Sequence, residues 1–212
     1  MFAPVSSASM NKPGTGAISK PAHLKALASP VRQELLDLLV RTGPASAAEL
    51  GRLVQRPADG LYYHLRELRR VGLVSSAGMR EREGRREELF RAVHKEPTLR
   101  HDPSPGGNSP AVVAIVSSML RLGIRDFKKG AGSPSVRAEG PMRELWALRV
   151  TGWLSPAQLA EANRRIRVLH RTPSRRSPKG KLYGITILIT PLGHRGRKKQ
   201  QRSRSPRRGN VR

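Results

Sequence analysis

The residues best suited to chemistry lie between Arg56 and Val74, RPADGLYYHLRELRRVGLV. Leu61, Leu65 and Leu68 are spaced so that a helix places them on one face, where they would pack inward. Tyr62, Tyr63, Arg66, Arg69 and Arg70 then point elsewhere. Tyr63 and Arg66 share one outer stripe; Tyr62, Arg66 and Arg69 share another. A tyrosine offers a ring and a hydroxyl, and an arginine offers a permanent cation with five donors. Such a face suits a polyanion that also presents base edges and sugars. Asp59, near the start, can accept from a cytosine amine or simply favour the helix dipole. Gly60 inside the helix costs roughly 1 kcal/mol against alanine. It either admits a close-lying backbone or is merely tolerated.

The chain as a whole is strongly basic. Its 212 residues carry 41 Lys and Arg against 15 Asp and Glu, a formal charge of +26. That excess points to a polyanionic partner, nucleic acid before an anionic membrane. Aromatic content of 4% makes a lean core for this length, so part of the chain is expected to stay unfolded. The absence of cysteine excludes disulfides, cysteine-ligated zinc and thiol chemistry. No apolar run approaches the roughly 20 residues that span a bilayer, and the N-terminus lacks the pattern of a secretory signal. The expected location is the cytoplasm, on the nucleoid while bound to DNA.

The surrounding elements must position the tyrosine–arginine face. Residues 1–20 read as a loose, disordered arm. Leu24, Leu27 and Ala28 suggest a short helix. Ser29-Pro30 opens a second helix that ends at Gly43-Pro44. Ser46-Ala-Ala-Glu49 fits a capping box and starts a third. The helix over 57–71 follows after a tight turn, with Gly72 as its stop. Leu73–Met79 and Leu89–Val93 read as two strands around the charged turn Arg80–Glu88. Residues 96–110 look like a linker. A helix is expected from Ala111, with Ile115, Met119 and Leu122 on its side. A β–α–β unit follows: a strand over 144–154, a helix from Ser155-Pro156 to His170, and a strand over 181–191. Residues 193–212 hold almost no apolar residue and are expected to form a disordered basic tail.

Two helices joined by a tight turn, the second followed by an arginine-tipped hairpin, describe a winged helix-turn-helix. Its second helix enters the major groove of double-stranded DNA and its wing, here 79–88, lies on the flanking backbone, where arginines meet phosphates. "LKALASPVRQELLDLL", "ADGLYYHLRELRRVGLV" and "GRREELFRAV" together resemble the ArsR-type winged helix-turn-helix regulators over about Leu24 to Val93. They are most similar to the branch whose recognition helix reads "LYYHL". "LWALRVTGWLSPAQLAEANRRI" resembles the C-terminal region of those proteins. The resemblance implies a homodimeric repressor on a roughly palindromic operator. It places base reading on Tyr62 and Tyr63, with Asp59 and Gly60 just before, and wing contacts on Arg80, Arg82, Arg85 and Arg86. With the outward-pointing Arg66 and Arg70, these form the expected DNA-binding set. The sequence departs from the family where Gln55 and Arg56 occupy the turn, and where the cysteines of the metal-sensing members are missing.

The expected architecture is therefore α+β: a DNA-binding domain over 21–95, the linker, and a smaller α/β dimerisation or effector region over 111–192. No effector is identified. His64 is expected to hydrogen-bond locally. His94 and His101-Asp102 lack ligand spacing, so no metal is expected. Trp146, Trp153 and Tyr183 read as core or interface packing before a ligand pocket. No hydrolase, phosphate-loop or metalloprotease motif is present, so neither catalytic residues nor a cofactor are expected. The alternatives are a non-specific nucleic-acid binder driven by the tail through counterion release, and a protein-interaction module. The tail can also serve solubility alone.

Overall fold

The computed structural model describes residues 16–82, 84–172 and 180–192. The tail, most of the arm and the loop over 173–179 lie outside them. The elements run β1 (Ala17–Ile18), α1 (Pro21–Leu27), α2 (Pro30–Thr42), β2 (Ala45–Ser46), α3 (Ala47–Val54) and α4 (Asp59–Arg70). Then follow β3 (Val74–Arg82), β4 (Arg85–Ala92), β5 (Thr98–Leu99), α5 (Ser109–Ala131) and α6 (Pro156–Arg171). The fold is mixed α/β, with the helix-turn-helix in the N-terminal half.

The core is one leucine-rich cluster. Leu35 and Leu39 of α2, Leu50 of α3, Leu61, Leu65 and Leu68 of α4, Leu73, Val74 and Phe90 are all essentially inaccessible. Burying one such side chain stabilises by about 1.5–3 kcal/mol, so the leucine seam determines which face of α4 remains outside. The sheet runs β2–β4–β3, antiparallel throughout.

The element ends follow local chemistry. Ser46 and Glu49 cap α3 reciprocally, at 3.3 and 3.0 Å. Helix α4 closes in a Schellman motif: the Leu73 N–H donates to the Leu68 carbonyl and the Gly72 N–H to that of Arg69. Gly72 has φ +78°, the left-handed conformation that glycine adopts without strain. The turn between α3 and α4 is less conventional. Gln55 occupies the left-handed region at φ 55°, and both its N–H and that of Arg56 reach the Gly51 carbonyl. A Cβ on Gly51 would lie 2.7 Å from the Arg56 carbonyl oxygen. The glycine that this tight turn needs therefore sits four residues before Gln55, inside α3.

Four expectations change. Structure begins before residue 21: β1 pairs in parallel with β5, and Ile18 is buried. The stretch 96–110 is correspondingly more than a linker, since it holds β5 and the start of α5. Two-residue strands are too short to show periodicity, which is why the sequence reads as loose there. The strands expected over 144–154 and 181–191 do not form; both segments lack a backbone ladder among the described residues. A strand needs a neighbouring strand to satisfy its N–H and C=O groups. What joins these segments is Glu144, which accepts from the Tyr183 hydroxyl at 2.6 Å, the Arg137 N–H at 3.0 Å and Lys181 at 2.9 Å. Those donors, the tyrosine foremost, hold its carboxyl down at about 2. Trp153 is 99% exposed and Leu148 79%, and Trp146 and Tyr183 are also more than half exposed. The core packing expected for the tryptophans and Tyr183 is not formed among the described residues, where the Trp146 ring carries the Arg143 guanidinium at 4.3 Å instead.

Gln55→Gly should stabilise the fold by about 1 kcal/mol by relieving the left-handed backbone, whereas Gly51→Ala should destabilise it by about 1–3 kcal/mol through overpacking. Urea denaturation of the two variants would check both signs.

Candidate nucleic-acid interface

Helix α4 presents the tyrosine–arginine face outward. Tyr63 is 57% exposed and Tyr62 39%. The difference has a cause: the Tyr62 ring packs edge-on against Phe90 of β4, with centroids 6.5 Å apart. Tyr62 is thus half anchor and half surface, whereas Tyr63 stands free except for an edge contact with His64. Arg66 is exposed and has no acidic partner among the described residues. Asp59 and Gly60 are exposed at the start of the helix, and no atom lies within 4 Å of where a Gly60 Cβ would be.

The other arginines of α4 are paired. Arg70 meets Glu67 one turn back through two hydrogen bonds, of 3.3 and 3.0 Å. Arg69 reaches Glu88 of β4 at 2.8 Å and so ties the helix to the wing. Both pairs are solvent-exposed, so each contributes at most about 1 kcal/mol. His64 does not make the expected local hydrogen bond: its Nδ1 is buried without a partner. Burial, then Arg32 and Arg56, holds its pKa below the ordinary histidine value, since both disfavour the charged ring.

The wing is a hairpin in register Arg80 with Glu87, Glu81 with Arg86 and Arg82 with Arg85. A β-bulge between Ser76 and Met79, with Gly78 at φ +103°, bends its base and raises the local twist. The alternation of strands places Arg80, Arg82, Arg85 and Glu87 on one side, and Met79, Glu81, Arg86 and Glu88 on the other. The four wing arginines therefore have different surroundings. Arg80 is engaged by Glu49 at 3.0 Å and Glu87 at 3.3 Å, and its guanidinium pKa is raised by those two hydrogen bonds. Its Nε is buried. Arg82 lies 3.7 Å from Glu49. Arg85 and Arg86, nearest the tip, are exposed and have no carboxylate partner among the described residues.

Glu49 is the residue that sequence reasoning saw only in part. The capping box is visible as Ser46 to Glu49. That the same carboxylate also receives two wing arginines depends on the fold bringing α3 beside β3. Arg80 acts here as a support for the wing rather than as a free cation.

A family model described as a helix-turn-helix domain matches residues 27–77. The N-terminal unit is a helix-turn-helix DNA-binding domain. The matched stretch runs from the end of α1 through the helix-turn-helix to the bulge in β3, so the outer wing and everything after it fall outside the match. No curated protein matches the chain. Among the described residues no cluster of three or more His, Asp or Glu could hold a metal ion, and no helix is long and apolar enough to cross a membrane.

Glu49→Gln keeps an acceptor for the Ser46 N–H but removes the ion pairs. Hydrogen exchange at the wing tip, residues 79–86, should then rise several-fold while the amides of α3 stay protected, a loss of about 1 kcal/mol being expected for partly exposed pairs. Unchanged wing exchange would show that the pairs do not hold it.

Proposed function

We propose that this chain is a sequence-specific regulator of transcription of the ArsR type, a homodimer that represses from a roughly palindromic operator. The observation that carries this reading is the exposed stripe of Tyr63 and Arg66. It stands on a helix pinned by its leucines, and Arg85 and Arg86, which have no carboxylate partner among the described residues, lie at the tip of the adjacent wing. In a winged helix-turn-helix docked on DNA, Tyr63, Arg66 and the hydroxyl of Tyr62 meet base edges in the major groove. Arg85 and Arg86 then meet flanking phosphates. Arg70 contributes only by leaving Glu67, and Arg80 positions the wing. Asp59 either accepts from a base or favours the helix dipole. Nothing in this arrangement calls for catalysis or a cofactor.

Gly60 supports the same reading. It is exposed, helical and surrounded by open space, so alanine would fit the free protein and favour the helix. A glycine at that exposed position leaves room for something outside the chain to come close to the backbone. Gly60→Ala should raise stability by about 1 kcal/mol yet weaken operator binding. Tyr63→Ala with Arg66→Ala should reduce preference for the operator over unrelated duplex by about 10- to 1000-fold, given about 1–3 kcal/mol per good base contact. Competition gel shifts with DNA from upstream of the chain's own gene would measure both. Equal affinity of the wild type for every sequence would favour the general nucleic-acid binder instead.

The dimer is supported by the outer side of α5. Val113, Leu120, Ile124 and Phe127 are exposed there at spacings of seven, four and three, those of a helix–helix seam. The exposed apolar side chains of 144–154 and 181–191 add to the surface left uncovered in one chain. Ile124→Glu should convert the dimer to a monomer in analytical ultracentrifugation; a wild type that is monomeric at micromolar concentration would remove the dimer from the proposal.

A further inference from the structure

Helix α5 lies beyond the matched helix-turn-helix, but one of its stripes runs along that domain. Ala111, Ile115, Ser118, Leu122, Arg125 and Lys129 follow each other at spacings of four and three, so they share a face. Each end and the middle of that stripe has a contact. Ile115 is buried in the core, and its carbonyl accepts from Gln33 of α2 at 2.9 Å. Arg125 grips Glu34 of α2 through two hydrogen bonds, of 2.9 and 2.6 Å. Lys129 donates to the Gln55 side chain at 3.2 Å. From Ile115 to Lys129 the helix advances about 21 Å, from the core to the turn between α3 and α4.

That turn borders the DNA-facing end of α4, which starts four residues after Gln55. Lys129 is exposed there, as is Arg56 in the turn itself, and Lys128 is exposed beside Lys129 in the last turn of α5. The contact of Lys129 is with a neutral amide, and none of the three cations has an ion pair among the described residues. Arg125 has already engaged the nearby carboxylates of Glu34 and Asp126. Two of the three cations are compact lysine ammonium groups, which suit phosphate oxygens.

We infer that the C-terminal end of α5 belongs to the DNA-binding surface, with Lys128 and Lys129 joining Arg56 on the phosphates beside the recognition helix. The inference rests on the DNA-binding reading above, but not on an operator, because phosphate contacts are independent of sequence. Arg125 is the positioning residue that holds the lysines at the turn.

The test is the salt dependence of binding to a generic 30-base-pair duplex, followed by fluorescence anisotropy for the wild type, Lys128→Gln/Lys129→Gln and Lys128→Arg/Lys129→Arg. Each lost phosphate contact lowers the slope of log K against log salt by about 0.9, so the glutamine variant should lose nearly 2 per protomer. Its affinity should fall by the same factor on every duplex, and the arginine variant should keep the wild-type slope. Cations in the last turn also favour the helix dipole. A glutamine variant with a lower melting temperature but an unchanged slope would assign the lysines to that role and overturn the inference. If the double variant does not melt cooperatively, Lys128→Gln alone is measured, since the Lys128 side chain makes no hydrogen bond or ion pair among the described residues. A wild type without operator preference would sink the regulator reading and still leave the slopes to decide this one; a wild type that ignores duplex DNA overturns both.

Discussion

The burial of Leu61, Leu65 and Leu68 against α2, α3 and Phe90 is the constraint from which the rest follows. A helix has one rotational freedom about its axis, and this seam removes it. Once three leucines are inaccessible, Tyr63 and Arg66 have to stand outside. Gly60 is left on open surface, and Arg69 comes within reach of the wing. Losing any of the leucines would cost several kcal/mol and would also release the orientation on which a recognition surface depends.

Around that seam, charge is used in two distinct ways. Several carboxylates of the domain are engaged: Glu49 with Arg80 and Arg82, Glu88 with Arg69, Glu67 with Arg70, Glu34 with Arg125. These pairs connect elements, and several bridge α3 or α4 to the wing. Arg66 on the helix face and Arg85 and Arg86 at the wing tip have no carboxylate partner among the described residues and can meet an external anion. A chain with a large excess of cations thus sorts them by whether the fold brings an acid alongside. Net charge alone tells nothing about which arginine is which.

The fold was legible from the sequence to different depths along the chain. The Leu61–Leu65–Leu68 period, the Ser46–Glu49 capping box and Gly72 each have a local cause, so α2, α3 and α4 lie close to where they were expected, whereas the stretch Arg80–Glu88, expected as a charged turn, is mostly strand, with β3 running to Arg82 and β4 starting at Arg85. The parallel pair β1–β5 was not legible, because two residues carry no period and the pairing joins segments eighty residues apart. The strands expected over 144–154 and 181–191 show the opposite failure. Their residues alternate as a strand should, but a pattern of alternation does not provide a neighbour. The candidate site was legible in its membership and less so in its roles: Arg80 and Arg66 are equally basic in the sequence, and only one of them faces Glu49.

By itself, the sequence determined a basic chain without cysteine. It also determined a set of helices with local start and stop signals, and a helix with a leucine face and a tyrosine–arginine face. Local hydrogen bonding and side-chain periodicity suffice for those, because they act over one or two turns. Only the tertiary structure decided which arginines are paired, that Gly51 rather than the turn itself makes room for the tight turn, and that α5 runs from the core to that turn. These depend on distances between residues remote in the chain, which hydrophobic burial of the leucine core sets and no local pattern records.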